Sequence, residues 1–319
     1  MEHYVTLFDS LFLPQGLALQ ASMERHVNNY TLWILCVDDA VYEILVRLNL
    51  PNVQLLLLSN LETDELRTVK LTRSKTEYCW TLTPFAPRFV FEANDNVSRV
   101  TYLDADMWFR KPPDPIFHLF EHSNKSALIT RHGYSPKYDQ SHVSGEYCVQ
   151  FVIFDRHKGE KVRQWWEDRC IEWCHSYYEN GKFGDQKYLE AWLKEFPNDV
   201  FIYPVTDHFL APWNAAIFPY SSAVLWHNHG FRLAGRSNRI TRFYRVDYLI
   251  PLSVYNGIYD PYEIDIENAI AKLNNLGYSA KPQIVDNLFN RLKRFMIPYY
   301  KLISTISLFG HIKKRIICD

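Results

Sequence analysis

Two aspartates one residue apart, Asp104 and Asp106, follow the apolar run Val100-Thr101-Tyr102-Leu103. In an extended chain residues i and i+2 point to the same side, so both carboxylates emerge together where a strand ends. Crowded acids repel each other unless a cation lies between them. Oxygen ligands favour Mg2+ or Mn2+, which also bridge to phosphate oxygens. The plain alternative is a pair that caps a loop before Pro112-Pro113. Further along, Asp185-Gln186 follows Gly184, and His227-Asn228-His229 precedes Gly230. Asp185 is either a helix N-cap or an acid/base group. An extended chain aims His227 and His229 to one side and a turn at Asn228 separates them, so at most one is expected to join the carboxylates at a metal.

The elements that must position these groups come from the hydrophobic pattern. Residues 4–8, 32–37, 53–58 and 99–103 are apolar runs of strand length, the second and third reading as strands buried on both faces. Helical stretches lie between them, from Pro14 to Asn28, over 40–48 and over 76–93. Strand and helix alternating in this way indicate an α/β class: a Rossmann-like, mostly parallel central sheet flanked by helices, with ligands at the carboxyl ends of its strands. Neither GxGxxG nor GxxxxGK[ST] occurs, which excludes the usual dehydrogenase and P-loop sites. Downstream, 150–154 and 223–226 read as strands, 161–178 and 187–194 as helices, and 248–279 as a less periodic segment that wraps the body.

The Asp104-Ala105-Asp106 motif in this context resembles the DxD motif of GT-A fold glycosyltransferases. More narrowly, Tyr102-Leu103-Asp104-Ala105-Asp106 is similar to the sequence in the retaining family that contains glycogenin and the bacterial lipooligosaccharide galactosyltransferases. The resemblance implies that Asp104 and Asp106 hold Mn2+ or Mg2+ against the diphosphate of a UDP-sugar, with Ala105 beside the donor. Phe8-Asp9 matches the end of the family's first strand, whose aspartate binds uracil. Tyr147–Ile153 occupies the place of the Asn-Ser/Ala-Gly strand, without the small residues, and puts Gln150 near the donor. Asp185-Gln186 matches the Asp-Gln pair beside the reacting sugar. His227-x-x-Gly230 resembles the segment whose histidine is the third protein ligand of the metal, with His229 as the neighbouring candidate. The Lys-Pro-Trp that follows in the family is absent, and Arg232 stands in for the lysine. The implied layout is a GT-A domain over 1–247, a wrapping segment over 248–286 and a basic tail over 287–319.

Charge separates the last of these from the rest. The 319 residues sum to −1, an unlikely balance for a nucleic-acid binder. From Asn287 onward seven basic residues meet one acid, +6, which leaves −7 for residues 1–286. In the tail, apolar residues alternate with the basic ones and Pro298 interrupts the run, giving two short amphipathic segments suited to an anionic membrane surface. The expected setting is cytoplasmic, peripheral on the inner face of the membrane, since neither a signal sequence nor a spanning run is apparent. The six cysteines read as reduced thiols, with Cys170 and Cys174 on one helix face. The expected function is metal-dependent transfer of a hexosyl or N-acetylhexosaminyl group, with retention, to a glycan or lipid-linked acceptor in surface polysaccharide or lipopolysaccharide synthesis. Two rivals are a haloacid-dehalogenase-like phosphatase, whose motif normally lies on the first core strand, and a non-catalytic peripheral membrane protein with a vestigial nucleotide-sugar site.

Overall fold

The computed structural model describes residues 1–237, 239–245 and 247–304, with side chains as far as Tyr299. Its main sheet is built from β1 (Glu2–Phe8), β2 (Tyr30–Cys36), β3 (Val53–Leu57), β4 (Arg99–Leu103), β6 (Ala127–Arg131), β7 (Tyr147–Asp155) and β8 (Val200–Ile202); β5 (Met107–Phe109) leaves it for a second sheet. The strand order is β3-β2-β1-β4-β7-β6-β8. β1, β2, β3 and β4 run parallel, β7 is antiparallel to both β4 and β6, and β8 is parallel to β6. The sheet is therefore mostly parallel and flanked by helices, the α/β class expected.

Alternation decides which face each side chain serves. Tyr4, Leu32, Ile34 and Phe151 enter one core with the helices Leu13–His26, Asp39–Leu48 and Asp114–Ser123. Val5, Trp33, Leu35 and Val152 enter the other, against Phe85–Ala93 and Glu160–Glu172. The largest side chains fully buried there are Trp166 and Trp192, whose rings meet edge to face with centroids 5.3 Å apart. β3 departs from the expected two-sided burial. It is an edge strand, with one neighbour, and Gln54 is exposed.

Three helical expectations are corrected. The helix expected over 161–178 ends at Glu172, where Trp173 turns to extended backbone (φ −157°, ψ 124°), so Cys174 lies beyond it. The Arg73 guanidinium takes the carbonyls of Cys170, Ile171 and Cys174, a cation satisfying a helix carboxyl end. Residues 248–279 contain the regular helix Asp260–Asn275, with a proline in its first turn. Its buried stripe Tyr262, Ile266, Ala269 and Leu273 has helical spacing, but Asp265 on that side and the exposed Ile264 on the other blur the pattern. The helix Leu288–Ser304 is continuous, with Pro298 inside it. The ring removes one N–H donor, while the pairs Arg291–Asp286 (2.7 Å) and Arg294–Asp247 (2.9 Å) fasten the preceding turns to the body. Residues 305–319 of the expected tail, with Cys318, lie outside the described residues.

The entry to the helix Lys75–Leu82 is closed by a capping box, Ser74 and Glu77 satisfying each other's backbone N–H. Glu77 also accepts from the Ser176 N–H at 2.8 Å. Burial alone would raise its carboxyl, yet hydrogen bonds from Ser176 and Ser74 hold it down to about 2 from 4.5. A depressed acid stabilises the fold fully above its unfolded value and progressively less as pH falls toward the folded one. Glu77→Gln is thus expected to cost about 2 kcal/mol at pH 7, with the gap from wild type closing between pH 4.5 and 2. Urea unfolding at several pH values reads this, and a gap independent of pH would contradict it.

Candidate metal and donor site

β4 stops at Leu103, and Asp104-Ala105-Asp106 forms a turn closed by the Met107 N–H on the Asp104 carbonyl at 3.1 Å. The aspartates are therefore not extended, contrary to the expectation from their spacing. They converge because the turn folds Asp106 back toward Asp104. The chain then enters β5, which pairs antiparallel with β10 (Leu225–His227), itself parallel to β9 (Phe209–Leu210), in the register Met107↔His227, Trp108↔Trp226 and Phe109↔Leu225. That register sets His227 across from the residue next to Asp106. Asn228 locks the join, its backbone N–H (2.9 Å) and Nδ2 (3.0 Å) both donating to the Asp106 carbonyl.

The result is a three-sided cluster. His227 Nε2 lies 3.2 Å from Asp106 Oδ1 and 3.9 Å from Asp104 Oδ2. One ligand atom from each residue falls within 4.8 Å of the others, a spacing a metal ion could bridge. His227 Nδ1 faces Gln150 Oε1 at 3.1 Å, and Gln150 Nε2 donates to Thr130 Oγ1 at 3.3 Å. Since the amide oxygen only accepts, Nδ1 carries a proton and Nε2 is the atom turned to the carboxylates. Two hard oxygens and one imidazole nitrogen fit Mn2+ or Mg2+ better than a soft metal. Gln150 thus stands behind the histidine rather than against a donor.

The three groups shift one another's protonation. Burial pushes the Asp104 carboxyl up to about 6, eased by His227 and worsened by Asp106. Burial also acts on Asp106, but His227 holds it at about 2. His227 is carried well above its ordinary value because, against its burial, Asp106 outweighs the loss of water. Tyr102 lies two residues before Asp104 on the same side of β4, and its hydroxyl donates to Asp104 Oδ1 at 3.0 Å.

Asp185 lies behind this group. Its carboxyl is raised to about 7 by burial and then by the charge of Asp104, and its Oδ2 is buried without a hydrogen-bond partner. It starts the short turn Gln186–Tyr188 but makes no side-chain cap, which removes the plain N-cap reading. Trp166 Nε1 donates to its carbonyl at 2.8 Å. Gly184 before it has φ +54°, and a Cβ there would come 3.2 Å from the Trp80 ring, so the approach needs glycine. Gln186 is half-buried next to it.

The remaining candidates are spread around the cluster. His229 is not among the three residues whose ligand atoms cluster, although its charge still acts on Asp106; the Phe231 N–H closes a turn on the Asn228 carbonyl, and the His229 ring packs against Trp213, with centroids 5.4 Å apart. Arg232 opens β11 (Arg232–Arg236), half-buried, its guanidinium lowered by burial while Asp106 and Asp247 pull the other way. Asp9 follows β1, the neighbour of β4. Its Oδ1 accepts the N–H groups of Leu11 and Phe12, and its Oδ2 meets Lys75 Nζ at 2.6 Å. Phe8 is buried, with Gly16 closed over its ring, and Ala105 is buried in the turn. Tyr102, Asn228 and Thr130 were not singled out by sequence. Only Tyr102 left a signal, its i, i+2 relation to Asp104.

Fold and site together define an α/β protein with an Asp-Asp-His cluster at the carboxyl edge of a mostly parallel sheet, where the strand order reverses between β1 and β4. No family model matches the chain. Two proteins of Bacillus subtilis (strain 168), both described as uncharacterized, are similar to it. YfnF is 32% identical over 203 residues, 61% of this chain and 66% of that protein, so the match spans just under two thirds of YfnF. YfnD is 27% identical over 304 residues, 89% of this chain and 93% of that one. Among solved structures, mouse xyloside xylosyltransferase 1 aligns with a TM-score of 0.47 and 15% identity over 72% of this chain and 98% of its own. The bifunctional glycosyltransferase WbbM aligns at 0.48 and 14% over 72% of this chain and 46% of its own, under half its length. The galactosyltransferase LgtC aligns at 0.44 and 14% over 72% and 87%.

The hydrogen bond behind His227 generates a prediction. Gln150→Leu leaves the Nδ1 proton without its acceptor, and Mn2+ affinity is expected to fall about tenfold to a hundredfold. Electron paramagnetic resonance of free Mn2+ in a titration measures it. An unchanged dissociation constant would show that Gln150 does not orient the ligand.

Proposed function

We propose that this chain is a divalent-metal-dependent glycosyltransferase that uses a UDP-sugar, and the observation that carries the reading is the convergence of Asp104, Asp106 and His227 at the strand ends. The catalytic body is residues 1–247, with 248–286 wrapped around it. Asp104, Asp106 and His227 would hold Mn2+ or Mg2+. When bound, that ion supplies positive charge against the charge that develops on a departing diphosphate. Gln150 fixes the ring of His227, Arg232 brings a second, non-metal cation to the diphosphate, and Asp9 takes the base at the end of β1. Asp185 and Gln186 face the reacting sugar, where a carboxylate stabilises positive charge at the anomeric carbon. Retention of configuration, transfer of a hexosyl or N-acetylhexosaminyl group, and an acceptor in surface polysaccharide or lipopolysaccharide synthesis belong to the same reading.

Attachment to the inner face of the membrane rests on the helix Leu288–Ser304. No helix among the described residues is long and apolar enough to cross a membrane. This one lays Leu288, Phe289, Leu292, Phe295, Met296 and Tyr299 on its exposed side, while Arg291 and Arg294 turn inward to Asp286 and Asp247. An apolar stripe facing outward suits a lipid interface.

Two outcomes test the reading. UDP together with Mn2+ is expected to raise the melting temperature by more than the two added separately do in sum, and Asp106→Ala to abolish the joint effect; donor hydrolysis then separates an active enzyme from a vestigial site. No response to any nucleoside diphosphate with metal would sink the transferase. Replacing Leu292 and Phe295 together by Glu is expected to release the chain from vesicles containing anionic lipid in a flotation assay. Equal flotation of both forms would remove the membrane role.

A further inference from the structure

A groove of about 550 Å³ opens beside the candidate centre, a size within the range of small-ligand sites. It is lined by Arg131, Tyr134, Ser141, Glu146, Lys187 and Glu190 among others. Two features of the fold put it next to the cluster. β6 is antiparallel to β7, which is antiparallel to β4, so β6 and β4 point the same way. Arg131 at the end of β6 therefore leaves the sheet at the edge where Asp104 leaves it. On the opposite wall, Lys187 directly follows Asp185-Gln186.

A run of rings makes the second connection. Tyr134 stacks on His132 with centroids 4.5 Å apart and lies 6.0 Å from Trp213. The Trp213 ring in turn meets His227 edge-on at 5.3 Å. The aromatic wall of the groove is thus two ring contacts from a ligand atom of the cluster.

The lining chemistry selects what the groove takes. Its long cations are already paired, Arg131 with Glu146 at 2.7 Å and Lys187 with Glu190 at 2.8 Å. Lys187 Nζ also donates to the Ser141 carbonyl at 2.9 Å, and Glu190 accepts from the Glu146 N–H at 3.0 Å. An anion entering here would displace an existing carboxylate from each cation. A neutral ligand rich in hydroxyls can instead accept from the cations and donate to the carboxylates without breaking the pairs, with Tyr134 offering an apolar ring. Resting on the transferase reading above, we propose that this groove is the acceptor subsite and that it takes a neutral pyranose unit of a glycan.

The test uses the full chain with UDP and Mn2+ on a printed array of neutral and acidic oligosaccharides. Binding to neutral glycans is expected, weakened about tenfold by Tyr134→Ala and by Glu190→Gln, the order of one lost ring or hydrogen-bond anchor. Each variant's own unfolding transition shows whether it folds. Hydrogen exchange on the wild type, with the best-binding array glycan added, is expected to slow over residues 131–146. Binding confined to acidic glycans, no glycan binding at all, or binding with neither protection there nor sensitivity to the variants would overturn the assignment. A wild type that shows no Mn2+-dependent stabilisation by UDP would overturn the donor reading instead, so the two failures are distinguishable.

Discussion

The antiparallel pairing of β5 with β10 is the constraint on which the candidate centre depends. It spans three residues on each strand, yet it brings together groups more than a hundred positions apart and fixes which of two histidines meets the carboxylates. Both Asn228 donors clamp the carbonyl of Asp106 itself, so the metal-type ligand from the body and the one from the later segment share a single backbone junction. Ser22 supports it from the helix Leu13–His26, its Oγ accepting the Phe109 N–H at 3.0 Å. Displacement of this small sheet would separate the ligands without disturbing the main core.

The parallel half was legible because β1, β2 and β4 are buried on both faces and so are written as apolar runs, and because the acidic pair falls at the end of one of them. What could not be read was how the short strands pair. β10 shows as the apolar run 223–226, but the three-residue β5 carries no periodicity of its own, so the place of His227 at the carboxylates was available only as a resemblance. Gln150 was expected near the donor and lies against His227, since a residue's type does not say whether it faces a ligand or the ring behind it. The turn at Asp104–Asp106 reads as extended because strand alternation does not announce where it ends. Pro298 marks an interruption in sequence, whereas a helix fastened by Arg291 and Arg294 tolerates the loss of one donor.

Burial in the second core reaches the site indirectly. Trp166 belongs to the packing between the sheet and the helix Glu160–Glu172, and the same indole holds the carbonyl of Asp185. Gly184 lets that segment close on Trp80. A carboxyl raised by burial is therefore positioned by hydrophobic packing, and its setting is as rigid as the core behind it.

The imidazole of His227, held between Asp104 and Asp106 and raised well above its ordinary value, has a consequence for assembly. The free protein supplies a cation of its own at the centre, so the two acids do not need an ion in order to fold together. A divalent ion entering there would have to replace a proton on Nε2. Acid would then oppose the metal at this centre.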